Sequence, residues 1–119
     1  QRLNPGHRAL ALNNMAQFCY FLGRDEEGTK YVEDNFQTFQ RYLANKNLAA
    51  AFMTTFCFYY YIRGNKVKAQ RYTENVIEFI NNSGSTSESD NVLRKMEELL
   101  EKIKEMPDPE ELYDDGDEE

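Results

Sequence analysis

The chain has 119 residues, 40% of them hydrophobic and 29% charged, with two cysteines, one histidine and a formal net charge of −7. That is length for one domain with a core of its own, and it excludes a disulfide scaffold, a His-rich metal site and most His-based catalysis. No basic n-region followed by an h-region marks a signal peptide, and the longest apolar run, residues 48–62, falls short of the roughly 20 residues of a membrane span.

Apolar residues recur at three and four throughout, so an all-α fold is expected. Pro5-Gly6 reads as a turn ahead of a first helix over about 8–22, with Leu12, Met15, Ala16, Cys19 and Leu22 as its apolar positions. Gly23 should stop it. Asp25 is expected as the N-cap of a second helix running to about Leu43, with Glu26 and Glu27 where the dipole favours negative charge. After the polar break Asn45-Lys46-Asn47, a third helix over about 48–63 is apolar nearly all round, which predicts neighbours on several sides. Gly64 should end it and Asn65 cap a fourth helix, carrying Val67, Ala69, Tyr72, Val76, Ile77, Phe79 and Ile80 to about residue 81. A polar linker, residues 81–87, leads to a fifth helix over about 88–106, striped by Val92, Leu93, Met96, Leu99, Leu100, Ile103 and Met106. Pro107 and Pro109 close it. Residues 107–119 form an acidic tail. From Glu105 onward there are nine acids and no base, which leaves 14 bases and 12 acids in the body.

A repeat lies under these elements. With Gly23 set on Gly64, an offset of 41, Leu12, Met15, Ala16 and Cys19 fall on Met53, Phe56, Cys57 and Tyr60, and Gly28 falls on Ala69. Large and small apolar residues recur in register, then a turn glycine, then a small residue five later. The small residue lets two helices of a hairpin approach closely. This pattern resembles the tetratricopeptide repeat, most of all the longer repeats of the kinesin-light-chain type. It covers roughly residues 3–81, with Cys19 and Asn35 standing where the family has an aromatic and a small residue.

The resemblance implies two stacked helix hairpins, about 8–43 and 48–81, and a capping helix over about 88–106, in a right-handed solenoid with a concave face. It also implies the C-terminal end of an array, in keeping with Gln1 in place of a start methionine. Inferred core positions are Leu12, Met15, Ala16, Cys19, Met53, Phe56, Cys57 and Tyr60. Groove positions are Asn13, Gln17, Tyr20, Phe21, Thr54, Phe58 and Tyr61, whose surplus aromatics suit a binding surface because rings bring large contact area with few rotamers to freeze.

No catalytic constellation, metal set or phosphate loop is visible, so neither an enzyme nor a cofactor is expected. The expected function is a protein-interaction module holding a peptide or helix of a partner, in the cytoplasm or another reducing compartment. Self-association through the helices is the alternative, and capture of basic proteins by the acidic tail a third. Nucleic acid is not an expected partner, because the tail repels phosphate and no basic stripe outweighs it. The acidic-peptide clamp of one family subtype is also disfavoured, since the second-repeat positions around Ala51 and Phe56 are apolar.

Overall fold

The structure is a computed structural model that describes residues 5–45, 48–84 and 86–108. These residues form six helices and no strand: α1 Pro5–Phe21, α2 Asp25–Asp34, α3 Phe36–Leu43, α4 Ala49–Ile62, α5 Lys66–Asn82 and α6 Ser87–Lys104. The all-α expectation holds. Three local expectations are corrected. Pro5 begins α1 rather than preceding it, as its fixed φ suits a first helical turn. Asp25 is the first residue of α2 and Arg24 holds the N-cap position, so Asp25, Glu26 and Glu27 together face the positive end of the helix. The second expected helix is two, which raises the number from five to six. At Asn35 the backbone leaves the helical region, with φ −124° and ψ 26°. The Asn35 amide reaches the Val32 carbonyl, and its side-chain Nδ2 donates to the Tyr31 carbonyl at 2.9 Å, the acceptor that a continuing helix would have given its backbone N–H. The Asn35 carbonyl then accepts from Phe39 N and starts α3.

The two glycine stops behave as the sequence requires, and they are alike in detail. Gly23 and Gly64 have φ of 80° and 79°, the left-handed region that glycine enters without a Cβ clash. Arg24 N donates to Cys19 O and Gly23 N to Tyr20 O; 41 residues on, Asn65 N donates to Tyr60 O and Gly64 N to Tyr61 O. Both turns are thus the same Schellman closure. Asn65 caps α5 by accepting from Lys68 N at 3.1 Å. Thr86 and Ser89 form a reciprocal capping box at the start of α6.

α1 packs along α2, α4 along α5, and α5 along α6. α4 is the centre, touching every other helix. Its Phe52 and Phe56 are fully buried and meet α3 through rings. Phe39 lies 5.7 Å from Phe52 and Phe36 5.7 Å from Phe56, both edge-on, while Tyr42 stacks on Phe52 at 5.4 Å. α6 closes the far side of α5 with Met96, Leu99 and Ile103 buried. Among the core positions expected from the sequence, Ala16, Cys19, Phe56, Cys57 and Tyr60 are buried, and Leu12 and Met53 pack at the core margin. Met15 is corrected: it is 47% exposed. α1 has apolar residues on all sides, and it buries Ala9, Asn13, Ala16 and Tyr20 instead.

The small residue at Gly28 has the expected use. A Cβ there would stand 2.9 Å from Tyr20 Cε1 and 3.1 Å from the Ala16 carbonyl oxygen, so α1 and α2 meet at this point nearly backbone to ring. At the other end, the nearly buried Lys66 ammonium of α5 donates to the Met106 carbonyl at 2.8 Å and pairs with Asp108 at 2.7 Å. It thereby holds the last turn of α6, whose carbonyls have no helical partner. The tail beyond, residues 109–119, lies outside the described residues, as do Leu3, Asn4, Lys46, Asn47 and Ser85 of the sequence reading.

Candidate functional site

α1 and α4 run side by side in the same direction. Asn13 Nδ2 donates to the Ala51 carbonyl at 3.3 Å, and Thr55 Oγ1 donates to Gln17 Oε1 at 3.4 Å. Each pair is 38 residues apart. A third rung follows at the same step, where Phe58 stacks on Tyr20 with centroids 5.5 Å apart and meets Phe21 edge-on at 5.6 Å. The seam therefore grades from polar to aromatic along the two helices. The next helix joins the same rung: Lys95 of α6 places its ammonium 5.6 Å from the centre of the Phe21 ring.

The seven groove residues read from the sequence divide here. Asn13, Tyr20 and Thr54 are corrections, because each is buried and makes a hydrogen bond within the chain, while Asn13 Oδ1 is buried with no partner among the described residues. Asn13 bridges to α4, Thr54 donates back to the Ala50 carbonyl at 2.9 Å, and the Tyr20 hydroxyl bonds Thr29 Oγ1 at 2.9 Å with its ring against Gly28. The physical reason is the tightness of the α1–α2 and α1–α4 approaches, which leaves these side chains no open side. Gln17, Phe21, Phe58 and Tyr61 are half-buried. They stand on α1 and α4, and Phe21 and Phe58 touch one another.

The face that they share has a simple electrostatic character. α4 carries no charged residue, and α1 carries only Arg8 and the single histidine, His7. Lys95 thus supplies a positive charge at the edge of an apolar, uncharged strip. Sequence reasoning missed Lys95. No helix-period signal marks it, because its place depends on how α6 lies beside the end of α1.

The basic group near the start of α5 is taken up elsewhere. Arg63 pairs with Glu33 at 3.4 Å, Lys66 holds the end of α6, and Lys68 and Arg71 lie 5.2 and 5.9 Å from the rings of Tyr60 and Tyr72. Burial pushes the Cys57 thiol up to about 12, so it is a protonated, unreactive core group. Cys19 is free and buried as well. Among the described residues, no group of three His, Cys, Asp or Glu side chains could hold a metal ion, and no helix is long and apolar enough to cross a membrane. Two shallow hollows, of about 80 and 200 Å³, lie at Met53, Val76 and Phe79 and at Ile80, Gly84 and Leu93. Both are below the roughly 300 Å³ at which small-molecule sites begin. Comparison with protein families, with curated proteins and with solved structures finds no match for this chain.

Proposed function

We propose that this protein is a non-enzymatic interaction module that holds a peptide or helix of a partner protein on the face made by α1, α4 and α6. The observation that carries the reading is the rung Phe21, Phe58 and Lys95, where rings from two parallel helices lie half open beside an exposed ammonium. Half-open rings on rigid helices lose little entropy on binding and are effective anchors. The ligand chemistry that fits is an apolar side chain over Phe21 and Phe58 with a carboxylate or carbonyl oxygen near Lys95. The tetratricopeptide-like arrangement is part of this proposal. Its support is the 41-residue recurrence of the turn hydrogen bonds and the packing of each helix on its near neighbours in sequence.

The test is selection of short peptides from a random library on the intact chain, followed by titration against Phe58→Ala and Lys95→Glu. Binding should weaken by about 1–3 kcal/mol for Phe58→Ala. Lys95→Glu, at an exposed site, should leave the thermal midpoint unchanged and lower affinity most for peptides bearing an acid. Peptides that bind both variants as well as the parent chain would remove the face from the proposal.

A further inference from the structure

The outer side of α1 carries a second surface, distinct from the face just described. Met15, Phe18 and Leu22 are 47%, 59% and 55% exposed, and Ala11 beside them is exposed too. Leu22 still follows the helical path, since its amide donates to the Phe18 carbonyl. Spacings of four, three and four give these residues the stripe of a two-helix seam. Other sides of α1 meet its neighbours: Ala16 and Tyr20 lie against Gly28 of α2, and Asn13 and Gln17 bond to α4. At about 100° per residue the stripe is turned away from both contacts. Exposed charges of opposite sign flank its two ends. Arg8 lies three residues before Ala11, and past Leu22 the exposed Asp25 and Glu26 open α2, while Arg24 between them pairs with Glu27.

We infer that this stripe is a self-complementary docking surface whose partner is the same stripe of a second copy of this chain, the two α1 helices running antiparallel about a two-fold axis. An interface of that symmetry pairs residue i with j and j with i. Read in opposite directions, the stripe does so. Leu22 falls on Ala11 of the other copy and Phe18 on Met15, so a large side chain meets a small one and a ring meets a flexible thioether. The same register brings Arg8 to Asp25 of the other copy, with Glu26 beside it, at both ends of the pair. A parallel pair would set ring on ring, leave Ala11 opposite Ala11 and bring the two Arg8 side chains together. The size of the surface fixes the strength of the pairing. Three side chains about half exposed amount to on the order of 300 Å² of apolar surface per copy. The pair buries about twice that, below the roughly 1,200 Å² at which stable interfaces begin. The dimer is therefore reversible and fills with concentration.

The test is sedimentation equilibrium of the intact chain from about 10 μM to 1 mM. Dimer should accumulate across that range. Phe18→Ser with Leu22→Ser should leave the chain folded by circular dichroism, since both side chains are more than half exposed, and monomeric throughout. Arg8→Glu acts at both ends of the pair and should weaken association by roughly three- to tenfold at low salt. Adding Asp25→Arg or Glu26→Arg should recover most of that loss, which a stripe that merely sticks to any apolar surface would not do. A chain that stays monomeric at the highest concentration overturns the inference. A dimer that survives Phe18→Ser with Leu22→Ser also overturns it, and belongs to another face. Failure of both Asp25→Arg and Glu26→Arg to rescue Arg8→Glu excludes the antiparallel register and overturns it as well.

Discussion

Gly28 is the residue on which the first hairpin closes. Its Cβ position is occupied by the edge of Tyr20, and that ring has no freedom to withdraw: its hydroxyl is bonded to Thr29 and its face is stacked on Phe58. The Ala16 carbonyl behind it is backbone. Gly28→Ala should therefore destabilise the fold by about 1–2 kcal/mol, overpacking outweighing the roughly 1 kcal/mol that alanine gains in helix propensity. Ala69→Gly at the matching place in the second hairpin should cost only about the propensity difference. Urea denaturation of the two variants distinguishes these effects; a stabilised Gly28→Ala chain would show that the hairpin closes otherwise. This use of Gly28 was legible in the sequence, because the spacing from Gly23 repeats at Gly64 and Ala69. The burial of Asn13 and Thr54 was not. Nothing in a polar residue's own neighbourhood announces that a carbonyl of another helix, or of its own preceding turn, will receive it.

At the scale of the element, the most consequential local features are the break at Asn35 and the anchor at Lys66. The break redirects the chain so that Phe36, Phe39 and Tyr42 lie across α4. Periodicity alone reads through it, since apolar residues keep their spacing on both sides and a single asparagine is compatible with a helix interior. The outward turn of Met15 escaped for a related reason: with apolar residues on every side of α1, the pattern does not choose the buried face, and the neighbouring helices do. The Lys66 anchor is likewise a long-range pairing that the helix pattern leaves blank. Lys66→Met should keep the aliphatic packing and lose the charge-assisted bonds to Met106 and Asp108. The expected cost is about 1 kcal/mol, because Asp108 is largely solvated. It should appear as faster amide exchange in residues 104–106 while α4 is unaffected; unchanged exchange there would show the anchor to be incidental.

Over the whole molecule, the aromatic core sets the response to alkali. Burial raises Tyr60 to about 12, with Tyr72 and Tyr59 nearby adding to the effect, and it raises Tyr20 further still. Burial also raises Tyr59, and the Glu33 carboxylate adds to it. Each is an acid that is neutral when protonated, so the folded state keeps its protons where the unfolded chain has released them. Above the ordinary tyrosine value of 10.0 the unfolded state binds fewer protons, and stability falls as pH rises toward 12. Thermal midpoints should drop steadily over pH 10–12, and Tyr60→Phe should flatten part of that slope. An equal slope in the variant would assign the alkaline loss to other groups. One further property follows from how α1 lies beside α4. Side-chain partners on the two helices are 38 residues apart, whereas equivalent residues are 41 apart. The second hairpin is thus offset from the first by three residues of helix rise, roughly 4.5 Å along the axis. An additional unit laid down by the same rule would mount one more such stair, so a stack of these hairpins would be slanted rather than level.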